Sequence, residues 1–234
     1  MQKIESWLNS RIGLNFRSGL GRMEQAIDIL DHPERSYPTI HVTGTNGKTT
    51  TVGMLGSILR ASGASVAEVG NIGLPICEAV DTDAEVFAVE LSSFQLHTVS
   101  TVSPLASVCL NVDADHLDWH GSAEAYAADK AKVYHATQVA CFYPSSDIEI
   151  EHMVAEADVI EGARAIGLTL GIPSISQVGW VEDALVERAF VERRHMQAQF
   201  LAEVDDLRIA YHDGVTDAAR MDATAAAGLA RAYG

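Results

Sequence analysis

The sequence has few cysteines, and none of them forms a pattern typical of disulfide or metal chemistry. Cys77, Cys109 and Cys141 are an odd number, stand far apart among apolar residues and include no C-x-x-C pair. A disulfide framework needs paired cysteines, and a zinc site needs closely spaced ones. We therefore interpret these residues as reduced core thiols of a cytoplasmic protein, without a metal-binding or nucleophilic role.

Basic residues are scarce as well: 16 Lys and Arg stand against 32 Asp and Glu, and the formal net charge is −16. Nucleic acids and anionic membranes are bound by basic surfaces, so we expect neither as a partner. No apolar run approaches the length of a membrane span, and Glu5 and Asn9 interrupt the region where a signal peptide would be apolar. A phosphate-bearing ligand must then be held locally, together with a metal ion. Composition leaves the oligomeric state open.

The apolar content is ample, because 47% of the 234 residues are hydrophobic and a chain of this size can bury a core. Segments rich in β-branched and apolar residues predict strands over residues 39–43, 64–69, 86–91, 106–112 and 139–143. Helix-length segments separate these strands. This alternation indicates an α/β fold, with a mostly parallel sheet covered by helices on both faces, as in phosphate-loop NTPases.

Further regions flank this core. Residues 1–36 predict an N-terminal helical cap, ahead of a domain formed by residues 37–234. After residue 144, residues 148–165 have a helical pattern, and the β-like runs 177–180 and 184–191 predict a small, partly antiparallel subregion packed on the main sheet. The chain closes with an alanine-rich segment that predicts a helix.

The segment I-H-V-T-G-T-N-G-K-T-T-T, residues 40–51, predicts a strand, a phosphate-binding turn and a helix. Glycines let backbone N–H groups approach an anion, lysine adds positive charge at the terminal phosphates, and a threonine hydroxyl can reach bound Mg²⁺. Val42 stands where the general pattern has its first glycine, so the loop is a compact variant. An ordinary turn is the alternative. The predicted nucleotide contacts are Gly44, Thr45, Asn46, Gly47, Lys48, Thr49 and Thr50.

Polar residues also follow the third and fourth predicted strands, where ligands gather in parallel sheets. Glu90 lies in V-E-L-S-S-F-Q-L, and a buried carboxylate there needs a cation, either the Mg²⁺ of a nucleotide or a buried Arg or Lys. A cluster of acidic and imidazole residues follows the fourth predicted strand and suits a divalent ion, although a solvated acidic loop has the same composition. Its members are Asp113, Asp115, His116, Asp118 and His120. Lys130 lies on the apolar stripe of a helix predicted over 122–136, where spacing alone favours an ordinary lysine whose stem extends to water.

Several segments in a fixed order carry a resemblance: G-T-N-G-K-T-T, G-N-I-G-L-P, V-E-L-S-S-F-Q-L, N-V-D-A-D-H-L-D-W-H-G and Y-A-A-D-K-A-K-V-Y. From residue 38 to 234 the chain resembles the central ATP-binding domain of the Mur ligase family. Its first 50 residues are similar to the related folylpolyglutamate synthases, through G-L-G-R-M-E-Q-A-I-D-I-L. The segment E-L-S-S-F-Q favours the muramoyl branch, because the folate enzymes have a glycine-rich stretch there. The family's C-terminal ligase domain has no counterpart in these residues.

The resemblance implies a cytoplasmic, ATP-dependent ligase of peptidoglycan precursor synthesis. Such an enzyme adds D-glutamate to UDP-N-acetylmuramoyl-L-alanine through an acyl phosphate, although the residues themselves do not determine which amino acid is added. The resemblance also implies two Mg²⁺ ions, the first held by Thr49 and Glu90 and the second by His116 and a carbamylated Lys130. The implied catalytic residues are Lys48, His116 and Lys130.

The same resemblance assigns the UDP-linked substrate to Asn71, Ser92 and Gln95. The family contacts adenine through an H-N-x-x-N stretch, where this chain has Ala218, Ala219 and Asp222, so adenine recognition stays open. We therefore expect a nucleotide-binding core that is inactive or very slow on its own. The alternatives are a folylpolyglutamate synthase-like ligase and a nucleotide-binding module without independent activity.

Overall fold

Strands and helices alternate along the part of the chain that the computed structural model describes, residues 37–79, 81–208 and 214–234. Its strands are β1 Thr39–Thr43, β2 Val66–Gly70, β3 Val86–Glu90, β4 Ala106–Cys109, β5 Ala140–Pro144, β6 Arg164–Leu168, β7 Gln177–Val181, β8 Ala184–Glu187 and β9 Gln199–Glu203. Its helices are α1 Lys48–Ala61, α2 Ile76–Ala79, α3 Ser93–Thr98, α4 Leu117–His120, α5 Ala123–Ala131, α6 Ile148–Ala155, α7 Val204–Arg208 and α8 Asp217–Tyr233. A 3₁₀ turn, Lys132–Tyr134, follows α5.

The strands form one sheet in the order β2-β3-β1-β4-β5-β6-β7-β8-β9. Neighbours from β2 to β7 are parallel, and β8 is antiparallel to both β7 and β9. The predicted α/β fold with a partly antiparallel subregion is confirmed. The antiparallel strands extend one edge of the sheet, however, and do not pack on its face.

The helix predicted over residues 148–165 is wrong beyond Ala155. Asp147 caps the start of α6 by accepting N–H bonds from Glu149 and Ile150. The chain then returns to the sheet as β6, whose Ile166 and Leu168 are fully buried. Strand formation here depends on pairing with β5 and on burial, which a local helical pattern does not reveal.

Alternation along β1 separates the two faces of the sheet. Ile40 and Val42 are fully buried and belong to the core that also contains Leu55 of α1 and Leu229 of α8. Helix α8 packs closely along α1, because its buried positions are mostly alanine. This packing brings the C-terminal helix to the end of the sheet where the phosphate-loop segment lies.

The opposite face of the sheet is closed by the 3₁₀ turn, through the buried side chain of Tyr134. Its hydroxyl donates to Phe142 O at 2.8 Å in β5 and accepts from Cys109 N at 3.0 Å in β4. This one hydroxyl therefore satisfies two buried backbone groups on neighbouring strands.

We expect Tyr134→Phe to lower the free energy of unfolding by about 1–3 kcal/mol, because it leaves both backbone groups unpaired. Urea denaturation measures the change. The matched control is Tyr143→Phe, since the Tyr143 hydroxyl has no hydrogen-bond partner within the described ranges, and we expect a change below about 0.5 kcal/mol. Equal losses in the two variants would contradict the role given to Tyr134.

The predicted N-terminal cap, residues 1–36, lies outside the described residues, so the division into cap and domain stays a prediction. Residues Pro38–Gly234 form one compact unit. Within the described ranges, Cys109 and Cys141 are buried free thiols. None of the helices described is both long and apolar enough to span a bilayer.

Candidate active site

The phosphate-loop segment, residues 44–47, lies at the carboxyl end of β1 and leads directly into α1. Asn111, which follows β4, accepts N–H bonds from Thr45 at 2.7 Å and Asn46 at 2.8 Å. Its amide also donates to Asn46 O at 3.2 Å. Asn111 was not predicted from the sequence, although a polar residue just after a buried strand is the kind of signal that identifies such residues.

Gly47 precedes α1 with φ 82°, a left-handed conformation that glycine adopts without steric cost. The turn at Gly47 therefore leads directly into the first N–H groups of α1 and the positive end of its dipole, an arrangement that suits an anion. Lys48 Nζ donates to Gly44 O at 2.8 Å and to Thr45 O at 2.9 Å, so its ammonium lies over the loop. Thr50 is partly buried in the same first turn of α1.

Glu90 ends β3 with a side chain that is only 1% exposed. Its carboxylate accepts a bond from Thr49 Oγ1 at 3.0 Å and another from Asn71 Nδ2 at 3.0 Å. No described Lys or Arg forms a salt bridge with it, so the alternative of a buried ion pair is not found in this part of the chain. A buried carboxylate beside a hydroxyl and a phosphate loop is an oxygen donor set that fits Mg²⁺.

The described side chains do not enclose a metal ion by themselves. No group of three His, Cys, Asp or Glu residues converges to hold one within the described ranges. Mg²⁺ commonly binds through one or two carboxylates and completes its shell with phosphate oxygens and water. The Glu90 and Thr49 pair fits that arrangement, whereas a dedicated all-protein cage would need more ligands.

Lys130 is almost fully enclosed, at 1% exposure, on the side of α5 that faces the site. Its ammonium lies 4.8 Å from the centre of the Tyr126 ring, and it donates no hydrogen bond to any described residue. The Tyr126 hydroxyl lies 3.0 Å from Thr45 Oγ1 in the phosphate loop. One aromatic side chain thus connects Lys130 with the loop.

Burial lowers the pKa of Lys130 to about 8. The Lys48 ammonium lowers it further, while Cys109 and Asp115 act in the opposite direction. Burial also raises the pKa of the Cys109 thiol to about 12, so this thiol is uncharged near neutral pH and does little to stabilise the ammonium. Near pH 8, a substantial fraction of Lys130 is therefore a neutral amine.

The acidic and imidazole residues predicted to form one cluster have different partners. His116 is half exposed, with its Nε2 3.5 Å from Asp115 Oδ2. The Asp113 backbone bonds to Thr45 Oγ1, and the His120 side chain is fully buried against Asp129. The five side chains do not form a single ion site, because α4 directs His120 into the protein and His116 toward solvent.

Ser92 and Gln95 form a capping box at the start of α3. Ser92 Oγ accepts from Gln95 N at 3.3 Å, and Gln95 Oε1 accepts from Ser92 N at 2.9 Å. These bonds satisfy the helix terminus, a structural role that the S-x-x-Q spacing could have predicted. Both residues and Asn71 lie at the same end of the sheet as Glu90.

Asp222 of α8 is a second residue whose position sequence analysis did not foresee. Its carboxylate contacts the Gly47 backbone so closely that a side chain on Gly47 would overlap it. Thr51 Oγ1 donates to it at 3.4 Å, and no described basic side chain pairs with it. Burial raises the pKa of Asp222 to about 6. A carboxylate therefore faces the loop that would hold a triphosphate.

We expect Asp222→Asn to raise the free energy of unfolding at pH 7.5. The folded protein binds more protons than the unfolded chain between pH 3.8 and about 6, so wild-type stability falls as pH rises through this window. The shift corresponds to about 3 kcal/mol, of which we expect roughly half because the side chain is partly exposed. Urea denaturation of the variant and wild type at pH 4 and 7.5 measures the difference, which should nearly vanish at pH 4.

The control for this change is Asp217→Asn, an exposed carboxylate in the first turn of the same helix. We expect Asp217→Asn to lower the free energy of unfolding by roughly 0.3 kcal/mol, because acidic residues stabilise helix N-termini. A gain in the Asp217 variant equal to that of the Asp222 variant would mean that net charge, and not burial beside the loop, explains the result.

Comparison with known proteins places this geometry in a family. A family model described as Mur ligase middle domain matches residues 42–160. Among curated relatives, UDP-N-acetylmuramoylalanine–D-glutamate ligase of Streptomyces coelicolor is 53% identical over 199 residues, which cover 84% of this chain and 41% of the relative. The ligase of that name from Leifsonia xyli is 48% identical over 202 residues, covering 83% of this chain and 39% of the relative.

Solved structures show the same fold at low sequence identity. Folylpolyglutamate synthase of Mycobacterium tuberculosis, complexed with ADP and AMPPCP, aligns with a TM-score of 0.61 at 15% identity, over 99% of this chain and 61% of that chain. MurF of Acinetobacter baumannii aligns with a TM-score of 0.57 at 18% identity, over 86% of this chain and 44% of that chain. This chain spans about two fifths of the length of the curated relatives it matches. Since the family model covers more than half of its residues, the chain belongs to the Mur ligase family.

Proposed function

We propose that this chain is the ATP-binding core of a ligase that adds D-glutamate to UDP-N-acetylmuramoyl-L-alanine. The names of the relatives at 53% and 48% identity support the substrate pair. The observation that carries the proposal is the hydrogen bond between Thr49 and the buried carboxylate of Glu90, beside a loop built to receive phosphate. An ordinary turn gives no reason to enclose a carboxylate at that position.

ATP would bind with its phosphates on the N–H groups of the loop and at the start of α1. Lys48 would turn from its loop carbonyls, 2.8 and 2.9 Å away, toward the terminal phosphates. A lysine held as a point charge over the loop stabilises the charge that develops as the γ-phosphoryl group is transferred. Asn111 supports this role by fixing the loop through two N–H bonds.

Thr49 and Glu90 would hold the first Mg²⁺, and His116 and Lys130 would hold the second. Held there, Mg²⁺ would supply positive charge that neutralises the phosphates. The substrate carboxylate attacks the γ-phosphorus and ADP leaves, which gives an acyl phosphate. The amine of D-glutamate then attacks the acyl carbon, and phosphate leaves as the amide forms.

Lys130 is suited to carbamylation because the reaction needs a neutral amine. The amine attacks carbon dioxide, a C–N bond forms, and one proton is released to give a negatively charged carbamate. With a pKa of about 8, Lys130 is neutral far more often near neutral pH than an ordinary lysine. The carbamate would replace an ammonium, which repels cations, by a carboxylate-like ligand.

Asn71, Ser92 and Gln95 would meet the UDP-linked substrate at the same end of the sheet. The capping box leaves Ser92 and Gln95 partly exposed and fixes their positions relative to Glu90. Holding the substrate carboxylate close to the γ-phosphate lowers the barrier mainly through orientation. The capping bonds would thus serve both the helix and the substrate.

The test is a calorimetric ATP titration with Mg²⁺, run alone, with UDP-N-acetylmuramoyl-L-alanine plus D-glutamate, and with a folate plus glutamate, alongside an assay of phosphate release. We expect ATP binding in every arm and very slow phosphate release, confined to the arm with the muramoyl substrate and D-glutamate. Stimulation by the folate pair alone would support the folylpolyglutamate synthase alternative. ATP binding without turnover in any arm would support the nucleotide-binding module, and absence of ATP binding would overturn the proposal.

A further inference from the structure

Ser93, His120 and Asp129 form a continuous chain of hydrogen bonds behind the candidate site. His120 Nε2 lies 3.0 Å from Ser93 Oγ, and His120 Nδ1 lies 3.0 Å from Asp129 Oδ2. Because a carboxylate only accepts, the Nδ1 atom donates to Asp129, and in that tautomer Nε2 accepts from the Ser93 hydroxyl. Hydroxyl, imidazole and carboxylate follow the order of a nucleophilic triad.

Burial argues against a nucleophilic role for this chain of residues. The His120 side chain is 0% exposed and Ser93 is 4% exposed, so an acyl substrate cannot reach the hydroxyl. Asp129 also accepts from His97 Nδ1 at 2.9 Å and from Lys132 Nζ at 2.8 Å. The Asp129 carboxylate therefore accepts bonds from three side chains, and these bonds connect α3, α4 and α5.

The three members share one property: each lies within four residues of a candidate metal-site residue. The pairs are Ser93 with Glu90, His120 with His116, and Asp129 with Lys130. Helix α4 depends most on this network, because its Leu117 and Trp119 are 43% and 51% exposed. His120 is the fully buried side chain of α4, and it attaches this helix to the protein together with the rings of His116 and Trp119, which pack against Phe94.

An aromatic contact links the network to Lys130. The His120 ring packs edge-on against Tyr126, with 5.1 Å between ring centres. Tyr126 in turn lies 4.8 Å below the Lys130 ammonium and 3.0 Å from Thr45 Oγ1. A displaced His120 would therefore move the side chain that supports both Lys130 and the phosphate loop.

We propose that Ser93, His120 and Asp129 are positioning residues that hold Lys130 beside the phosphate loop and fix helix α4, at whose start His116 stands. A catalytic role for these positioned residues rests on the proposed function. Their hydrogen bonds and packing do not depend on it. Groups that orient metal ligands without touching the metal commonly change its affinity by about 10–100-fold when removed. Ser93, His120 and Asp129 are groups of this kind, because they contact the elements that carry the candidate ligands and are not candidate ligands themselves.

The first experiment measures the enclosure of Lys130 by acylation and mass spectrometry of the whole chain, whose lysines are Lys3, Lys48, Lys130 and Lys132. In His120→Phe, which keeps an aromatic ring but removes both hydrogen bonds, we expect Lys130 to be acylated about tenfold faster than in wild type, because local opening exposes it. Thr224→Val is the control, since it breaks a buried bond from Trp180 Nε1 at 2.8 Å elsewhere in the protein, and urea denaturation of both variants shows how much stability each loses. Thr224→Val should leave the Lys130 rate unchanged.

The second experiment separates positioning from general stability through the Mg²⁺ requirement for ATP binding. We expect Ser93→Ala to raise the half-saturating Mg²⁺ concentration about tenfold, with ATP affinity at saturating Mg²⁺ unchanged. Ser93→Thr keeps the hydroxyl and should restore the wild-type Mg²⁺ requirement. Thr224→Val should again behave as wild type.

The outcomes distinguish this inference from the proposed function. Equal Lys130 acylation rates in His120→Phe and Thr224→Val would overturn the positioning role, as would a Ser93→Ala variant with the wild-type Mg²⁺ requirement. If wild type itself bound no ATP, the proposed function would fail, and the acylation comparison alone would decide whether the network holds Lys130.

Discussion

Gly70→Ala is expected to lower the free energy of unfolding by at least about 3 kcal/mol, measured by urea denaturation. Gly70 ends β2 with φ +112°, and a side chain at this position would overlap the carbonyl oxygen of Glu90. Glu90 lies in β3, between β1 and β2, and cannot move away without breaking ladder bonds on either side. The same oxygen accepts from Asn71 N at 2.9 Å, so the change would also disturb the candidate metal site.

The matched control is Gly63→Ala, because Gly63 has a similar positive φ of +98° but nothing within 4 Å of an added side chain. We expect Gly63→Ala to lower the free energy of unfolding only by the cost of placing alanine at a positive φ, about 1–2 kcal/mol. The difference between the two variants measures the steric conflict with Glu90. Equal losses would show that the close approach of Gly70 to β3 is unimportant.

Lys48→Ala is expected to weaken ATP binding about 100-fold, because a charged hydrogen bond to phosphate contributes about 1.5–3 kcal/mol. The free energy of unfolding should change by less than about 1 kcal/mol, since the partly exposed side chain bonds only to carbonyls of its own loop. Isothermal titration with ATP and Mg²⁺ measures the affinity, and urea denaturation measures the stability.

Arg60→Ala is the control for Lys48→Ala, because it removes one positive charge from the other end of the same helix. Arg60 is half exposed and pairs with Glu68 at 2.6 Å, remote from the loop. We expect it to leave ATP affinity within about twofold of wild type, as screened surface charges act weakly. Collapse of the fold in Lys48→Ala, or an equal loss of affinity in both variants, would contradict the role given to Lys48.

The predicted strands and the helix after the phosphate loop are present because each is encoded locally, although the runs predicted over 106–112 and 184–191 end as strands at Cys109 and Glu187. Four of the five residues 39–43 are β-branched, and Gly47 and Lys48 mark the turn into α1. The failure at residues 156–165 has the opposite cause. Their helical pattern is weak, and pairing with β5 makes the end of this region a strand.

The candidate site was only partly predictable for a similar reason. Glu90 was recognised because an isolated carboxylate in an apolar strand is unusual whatever surrounds it. Asn111, Tyr126 and Asp222 were missed because each contacts the loop from more than 60 residues away in sequence. Their side chains are ordinary in composition, and only their contacts make them notable.

The amino-acid sequence by itself determined the parallel strands, the phosphate loop and the types of residue that gather after each strand, because periodicity and turn chemistry act over a few neighbouring residues. The tertiary structure alone decided which of those residues meet. It brought Thr49 to Glu90, directed His120 into a buried network with Asp129, and set the Asp222 carboxylate against Gly47. These contacts depend on how helices pack across a completed sheet, and no local pattern specifies that packing.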